Sequence, residues 1–141
     1  MMNDTGRSRA PIGLERALVI DTAVRLMDEH GVDWLSMRRL ASALDVSATA
    51  LYWHVGSKEG LWSAALEAVM DGVIVEDDPA LSWQDRVRRF LQEVRRQLLA
   101  HPSALELSLR VGPPVAGRWR ALTEDVMRAA GFDATLHWTT A

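Results

Sequence analysis

The segment from Leu35 to Gly56, LSMRRLASALDVSATALYWHVG, permits few folds. Met37, Leu40, Ala41 and Leu44 recur at steps of three, one and three, which is one face of a helix, but Asp45 breaks the stripe after about two turns. Ser36 stands where it can cap that helix. Ser47 can cap another, running to about Val55 and stopped by Gly56. Ahead of them, from Leu14, a longer helix is expected: Ile20, Ala23, Val24 and Met27 share one face, and Gly31 supplies a stop. Asp28 and Glu29 near that stop oppose the helix dipole, so the boundary rests on the glycine. A longer helix followed by two short ones in a tight turn is the layout of a helix-turn-helix, whose last helix enters the DNA major groove.

The rest of the chain continues in helical periods. Ser57 can cap a fourth helix carrying Leu61, Trp62, Ala65, Leu66, Val69 and Met70. GVIVEDDPALS breaks the pattern with three acids and a proline. Ser82, with Asp85 three residues on, opens a long helix with the stripe Val87, Phe90, Leu91, Val94 and Leu98, closed by His101-Pro102. In ALELSLRV, Leu105, Leu107, Leu109 and Val111 alternate strictly, and by period alone that favours a strand. A last helix is expected from about Ala116, with Trp119, Leu122, Val126 and Ala130 on one side. Asp133 can cap one more. Residues 1–13 read as a flexible arm and 14–60 as a helix-turn-helix DNA-binding domain.

Composition narrows the chemistry. With 141 residues, 48% apolar, the chain can bury a real core. No apolar run approaches the roughly 18 residues of a membrane span, and MMNDTGRSRAP has no apolar stretch after its charges, so a cytoplasmic protein without membrane contact is expected. The absence of cysteine excludes disulfides, thiolate metal sites and cysteine nucleophiles. His30, His54, His101 and His137 share no metal-ligand spacing and no serine stands in a G-x-S-x-G context. Neither an enzyme nor a metal or other cofactor is therefore expected. The net charge of −3 argues against a protein that coats polyanions. Yet between Trp34 and Lys58 the charges are Arg38, Arg39 and Lys58 against Asp45 alone, so positive charge is local to the helix-turn-helix.

Turning the third helix at about 100° per residue puts Leu51 and Val55 on the core side, Thr49 and Trp53 nearly opposite, and Tyr52 and His54 on the flanks. Hydroxyls, imidazole nitrogens and rings on an outward face suit base edges, phosphates and sugars, while Ala48 and Ala50 leave room for close approach. Arg38 and Arg39 can reach phosphate or a guanine edge. Lys58 lies in the first turn of the fourth helix, where unpaired N–H groups favour an anion, and Ser36 and Ser47 can serve as caps and phosphate donors. Each residue also has a plainer reading: Trp53 and Tyr52 as half-buried packing, Arg38 and Lys58 as solvated charges, Arg7 and Arg9 as parts of a solvated tail.

The run LSMRRLASALDVSATALYWHVGSKEGL resembles the helix-turn-helix and fourth-helix start of the tetracycline-repressor (TetR) family of bacterial transcription regulators. LYWHV, SWQD and LLAH are similar to the branch that contains the tetracycline repressor. That resemblance implies DNA-contact positions at Ser36, Arg38, Ala48, Thr49, Tyr52, His54 and Lys58. Ala48 stands where a long polar side chain reads a base, so a different operator sequence is expected, and Asp45 replaces a common turn glycine. The resemblance turns ALELSLRV toward helix, which makes the fold class all-α, and implies that 61–141 is a helical regulatory, effector-binding domain with a pocket whose contacts fall on Phe90, Val94, Ser108 and Val111, with Trp119 nearby. Ser108 stands in place of a magnesium-ligating histidine and Phe90 in place of an asparagine, so an apolar effector is expected rather than a magnesium–tetracycline chelate. Plain core packing of the same residues is the alternative. Family members continue into two further helices that form a dimer bundle, so a C-terminally truncated chain is expected, with homodimerisation in question. The implied function is a repressor of double-stranded operator DNA relieved by a small-molecule effector. Its rival is a non-DNA-binding module that pairs with or titrates a full-length regulator.

Overall fold

The computed structural model describes residues 15–76, 78, 80–114 and 117–132, with the side chains of 117–120 and of 122 and 123 excepted. Among these residues all regular structure is helical: α1 (Arg16–His30), α2 (Met37–Leu44), α3 (Ala48–Val55), α4 (Lys58–Asp71), α5 (Trp83–Ala100), α6 (Pro102–Val111) and α7 (Gly117–Ala129). The arm with Arg7 and Arg9, and the helix expected from Asp133, lie outside the described residues.

The serines act as the capping rule requires. Ser36 Oγ accepts from Arg39 N at 3.2 Å, Ser47 Oγ from Ala50 N at 3.2 Å and Ser57 Oγ from Gly60 N at 2.9 Å. At α5, Ser82 Oγ accepts from Asp85 N at 3.2 Å and donates to Asp85 Oδ2 at 2.7 Å. Asp45 ends α2 in the left-handed region, φ 54° and ψ 45°, and its N–H returns to the last turn. It is the one non-glycine residue with positive φ among the described residues, and an Asp side chain tolerates that conformation better than most.

One core runs from α1 to α7. Val19, Ala23, Leu40, Leu51, Ala65, Ala104 and Leu107 are all fully buried, and Val126 of α7 joins the same cluster. α4 is the hub, packed against α1, α3, α5, α6 and α7. Each fully buried leucine contributes on the order of 1.5–3 kcal/mol of apolar transfer, so α4 fixes α1–α3 and α5–α7 together.

ALELSLRV is helix, as the resemblance implies and against its period: Ala104 and Leu107 face the core and Val111 packs against it, while Leu105 and Leu109 point outward and are exposed. The alternation masked a second stripe at steps of three and four, and Pro102 in the first turn suits a helix start. On α5, Leu91 is exposed, although Val87, Val94 and Leu98 of the same expected stripe pack against the core.

The acids at the end of α1 also find a purpose. α6 has no side-chain cap of its own. Asp28 Oδ1 accepts from Ser103 N at 3.0 Å and from Ser103 Oγ at 2.6 Å, and Asp28 Oδ2 lies 2.8 Å from His101 Nδ1. Its charge opposes the dipole of its own helix and favours that of α6.

Candidate nucleic-acid interface

α3 is held to the core by Leu51 and Val55, both buried, and everything between them faces out. Tyr52 is 47% exposed and Trp53 is 87% exposed. His54 is half-buried, and Ser47, Ala48 and Thr49 are exposed. An indole left almost wholly in water costs apolar burial that a core position would recover, which weighs against packing as its role. α3 ends where α4 begins, and the approach is close. A Cβ at Gly60 would overlap the carbonyl oxygen of Val55, so only glycine lets the first turn of α4 sit against the end of α3. At the same end, Arg16 Nε donates to the His54 carbonyl at 3.1 Å, tying α1 to the last turn of α3.

The cations divide into held and free. Arg39 Nη1 donates to the Trp34 carbonyl at 2.5 Å, and its guanidinium lies 4.4 Å from the Trp34 ring centroid. Trp34 in turn stacks on His30, with centroids 4.2 Å apart. Arg38 is exposed, and nothing among the described residues pairs with it. Lys58 opens α4 with Nζ 5.0 Å from the Trp62 ring centroid. Asp33, in the turn between α1 and α2, pairs with Arg110 of α6, Nη1 to Oδ1 at 2.9 Å. The Arg110 hydrogen bond, then its charge, holds the Asp33 carboxyl below the usual range, and Lys58 adds in the same direction.

The structure therefore brings Ser36, Arg38, Ser47, Ala48, Thr49, Tyr52, Trp53, His54 and Lys58 to the outer faces of α2, α3 and the start of α4. Arg39 is there too, but tied to Trp34. Sequence reasoning missed Arg16, Asp33, Trp34, Trp62 and Arg110. Most of their pairings join residues far apart in the chain or in unlike elements, where a local pattern carries no signal. An exception is Lys58 with Trp62, four apart on α4, a spacing that could have found it.

The expected effector residues are less gathered. Phe90 is buried, and Val94, Ser108 and Val111 are half-buried, with Ser108 Oγ donating to the Leu105 carbonyl at 2.7 Å. The side chain of Trp119 lies outside the described residues. An open, mostly apolar groove of about 440 Å³ runs between α5 and α6 along Leu91, Val94, Leu98, Leu99, Pro102 and Leu105, and takes in Val94 alone of the five. Among the described residues no cluster of three or more His, Asp or Glu could hold a metal ion, and no helix is long and apolar enough to cross a membrane.

Residues 19–65 match the model of the family described as "Bacterial regulatory proteins, tetR family". An HTH-type transcriptional regulator of Saccharopolyspora erythraea is 38% identical over 129 residues, covering 89% of this chain and 54% of that protein. The chain thus spans about half the length of the curated relatives it matches. SCO0253, a TetR-family transcriptional regulator from Streptomyces coelicolor, is 31% identical, with a TM-score of 0.71 over 86% of this chain and 72% of that one. BioQ, solved with its double-stranded DNA operator, is 29% identical with a TM-score of 0.71 over 86% and 75%. ActR from Streptomyces coelicolor, solved with actinorhodin, is 27% identical with a TM-score of 0.76 over 86% and 59%.

Proposed function

The chain belongs to the TetR family of bacterial transcriptional regulators, and on that premise we propose that it is a sequence-specific DNA-binding repressor relieved by a small-molecule effector. The observation that carries this reading is the outward face of α3, where Tyr52 and Trp53 stand in solvent between the buried anchors Leu51 and Val55. Thr49 and Tyr52 read base edges, Trp53 packs on the sugar–phosphate wall, and Arg38, His54 and Lys58 meet phosphate. Ser36 and Ser47 add hydroxyls at the N-termini of α2 and α3, where the helix dipole favours an anion. Arg39 stays tied to Trp34 and contributes charge rather than a base contact. Ala48 offers no hydrogen bond, so the base pair opposite it is discriminated by fit to a methyl group.

The operator is double-stranded DNA read in two half-sites by a homodimer, in the cytoplasm. The regulatory half begins beyond the helix-turn-helix, from about residue 61. The effector is apolar and lodges near Phe90, Val94, Ser108, Val111 and Trp119. Support comes from the mixed burial of the first four residues and from ActR, a relative solved with an organic ligand.

The test titrates the purified protein against DNA flanking its own gene at several salt concentrations. Specific binding predicts a slope of about −0.9 log units of affinity per log unit of salt for each phosphate neutralised. Equal affinity for all native DNA by a confirmed dimer sinks the repressor reading and favours a module that pairs with or titrates another regulator.

A further inference from the structure

Arg110 sits in the last turn of α6, yet its guanidinium reaches the helix-turn-helix. It pairs with Asp33 at 2.9 Å and with Glu106 one turn back, and its Cζ lies 5.2 Å from the Trp62 ring centroid. Lys58 Nζ lies 5.0 Å from the same centroid. Two cations therefore share one indole, and the Asp33 carboxylate, 84% exposed, stands in the field of both. Trp62 itself packs against the core, so this meeting point is fixed rather than adventitious.

We propose that Arg110 is a positioning residue for DNA binding: by occupying Asp33 it keeps Lys58 available to phosphate. The inference rests on the reading of Lys58 as a backbone contact. A guanidinium presents a planar fork that suits a carboxylate, and it neutralises Asp33 without calling on the lysine. Without Arg110, the exposed carboxylate draws the flexible Lys58 ammonium to itself and also repels the DNA backbone. Because Ser108 and Val111 flank Arg110 on α6, the same contact ties the phosphate-binding lysine to the position of the helix that carries candidate effector residues.

The experiment compares the 141-residue protein with Arg110→Ala, Asp33→Asn, the double variant and Arg110→Lys in salt-dependent titrations against DNA flanking its gene. Arg110→Ala is expected to weaken binding to every sequence about three- to tenfold and to make the salt slope shallower by about 0.9. Asp33→Asn alone binds as well as wild type or better, the double variant returns to wild-type affinity and slope, and Arg110→Lys restores part of the loss. A mere brace between α6 and the α1–α2 turn predicts the reverse: Asp33→Asn loses affinity and the double variant stays weak. Either result overturns the proposal, as does wild-type binding by Arg110→Ala. Failure of the wild type to bind any DNA defeats the repressor reading instead. The positioning claim is then read from side-chain NMR of the Lys58 ammonium without DNA. Proton exchange there slows in Arg110→Ala and recovers when Asp33→Asn is added. Exchange that does not depend on Asp33 overturns the claim.

Discussion

At Tyr52 the phenol is half exposed while its neighbour Leu51 is wholly buried, so truncating the ring removes little from the core and much from the outer face. Tyr52→Ala is expected to leave the thermal midpoint nearly unchanged and to weaken specific binding by about 1–3 kcal/mol. Lys58→Ala, by contrast, weakens all sequences alike, and both outcomes are read by comparing gene-flanking with scrambled duplexes. Gly60 is a different kind of residue, needed for space rather than contact. Gly60→Ala drives a methyl into the Val55 carbonyl and is expected to cost about 1–3 kcal/mol in urea unfolding. It should lower DNA affinity as well, because the end of α3 must move.

Elements are held by a few polar contacts that a sequence reader sees only in part. The local caps at Ser36, Ser47, Ser57 and Ser82 were legible because a cap and the backbone N–H that donates to it lie three residues apart. The cap on α6 was not, since Asp28 comes from a helix about 75 residues away in the chain. Asp28→Ala is therefore expected to destabilise the protein by about 1–3 kcal/mol, and hydrogen exchange should localise the loss to the first turn of α6. Acid acts on a different set of contacts. The Ser82 hydrogen bond, with Arg88 and Arg89, lowers the Asp85 carboxyl, and Arg96 lowers Glu93. A depressed carboxyl stabilises the folded chain fully above its ordinary value of about 4, and that help is lost as pH falls through the lowered folded value. Both groups are half-buried and still reach solvent, so the expected acid loss is modest. It appears as a lower urea midpoint below about pH 4 and shrinks in Asp85→Asn.

For the molecule as a whole, periodicity and capping sufficed to read the helix-turn-helix and most other helices, because most apolar stripes were clean, while the all-helical class also needed the family resemblance. They failed at α6, where alternate leucines imitated a strand while Ala104 and Leu107 formed the buried face. They also could not see that α4 joins α1–α3 and α5–α7 into one core. The outward set on α3 was legible from rotation, and Arg38 and Lys58 from their places in the first turns of α2 and α4. The network of Asp33, Trp62 and Arg110 was not, because it joins three elements distant in sequence. Above all, we propose that the outer face of α3 is the surface that meets DNA. Two-dimensional NMR of the isotope-labelled protein, with and without a saturating gene-flanking duplex, tests it most directly. The predicted result is that the backbone amides of residues 48–54, the Trp53 indole N–H and the Lys58 side chain shift most. Shifts confined to α5 and α6 at saturating DNA would contradict it.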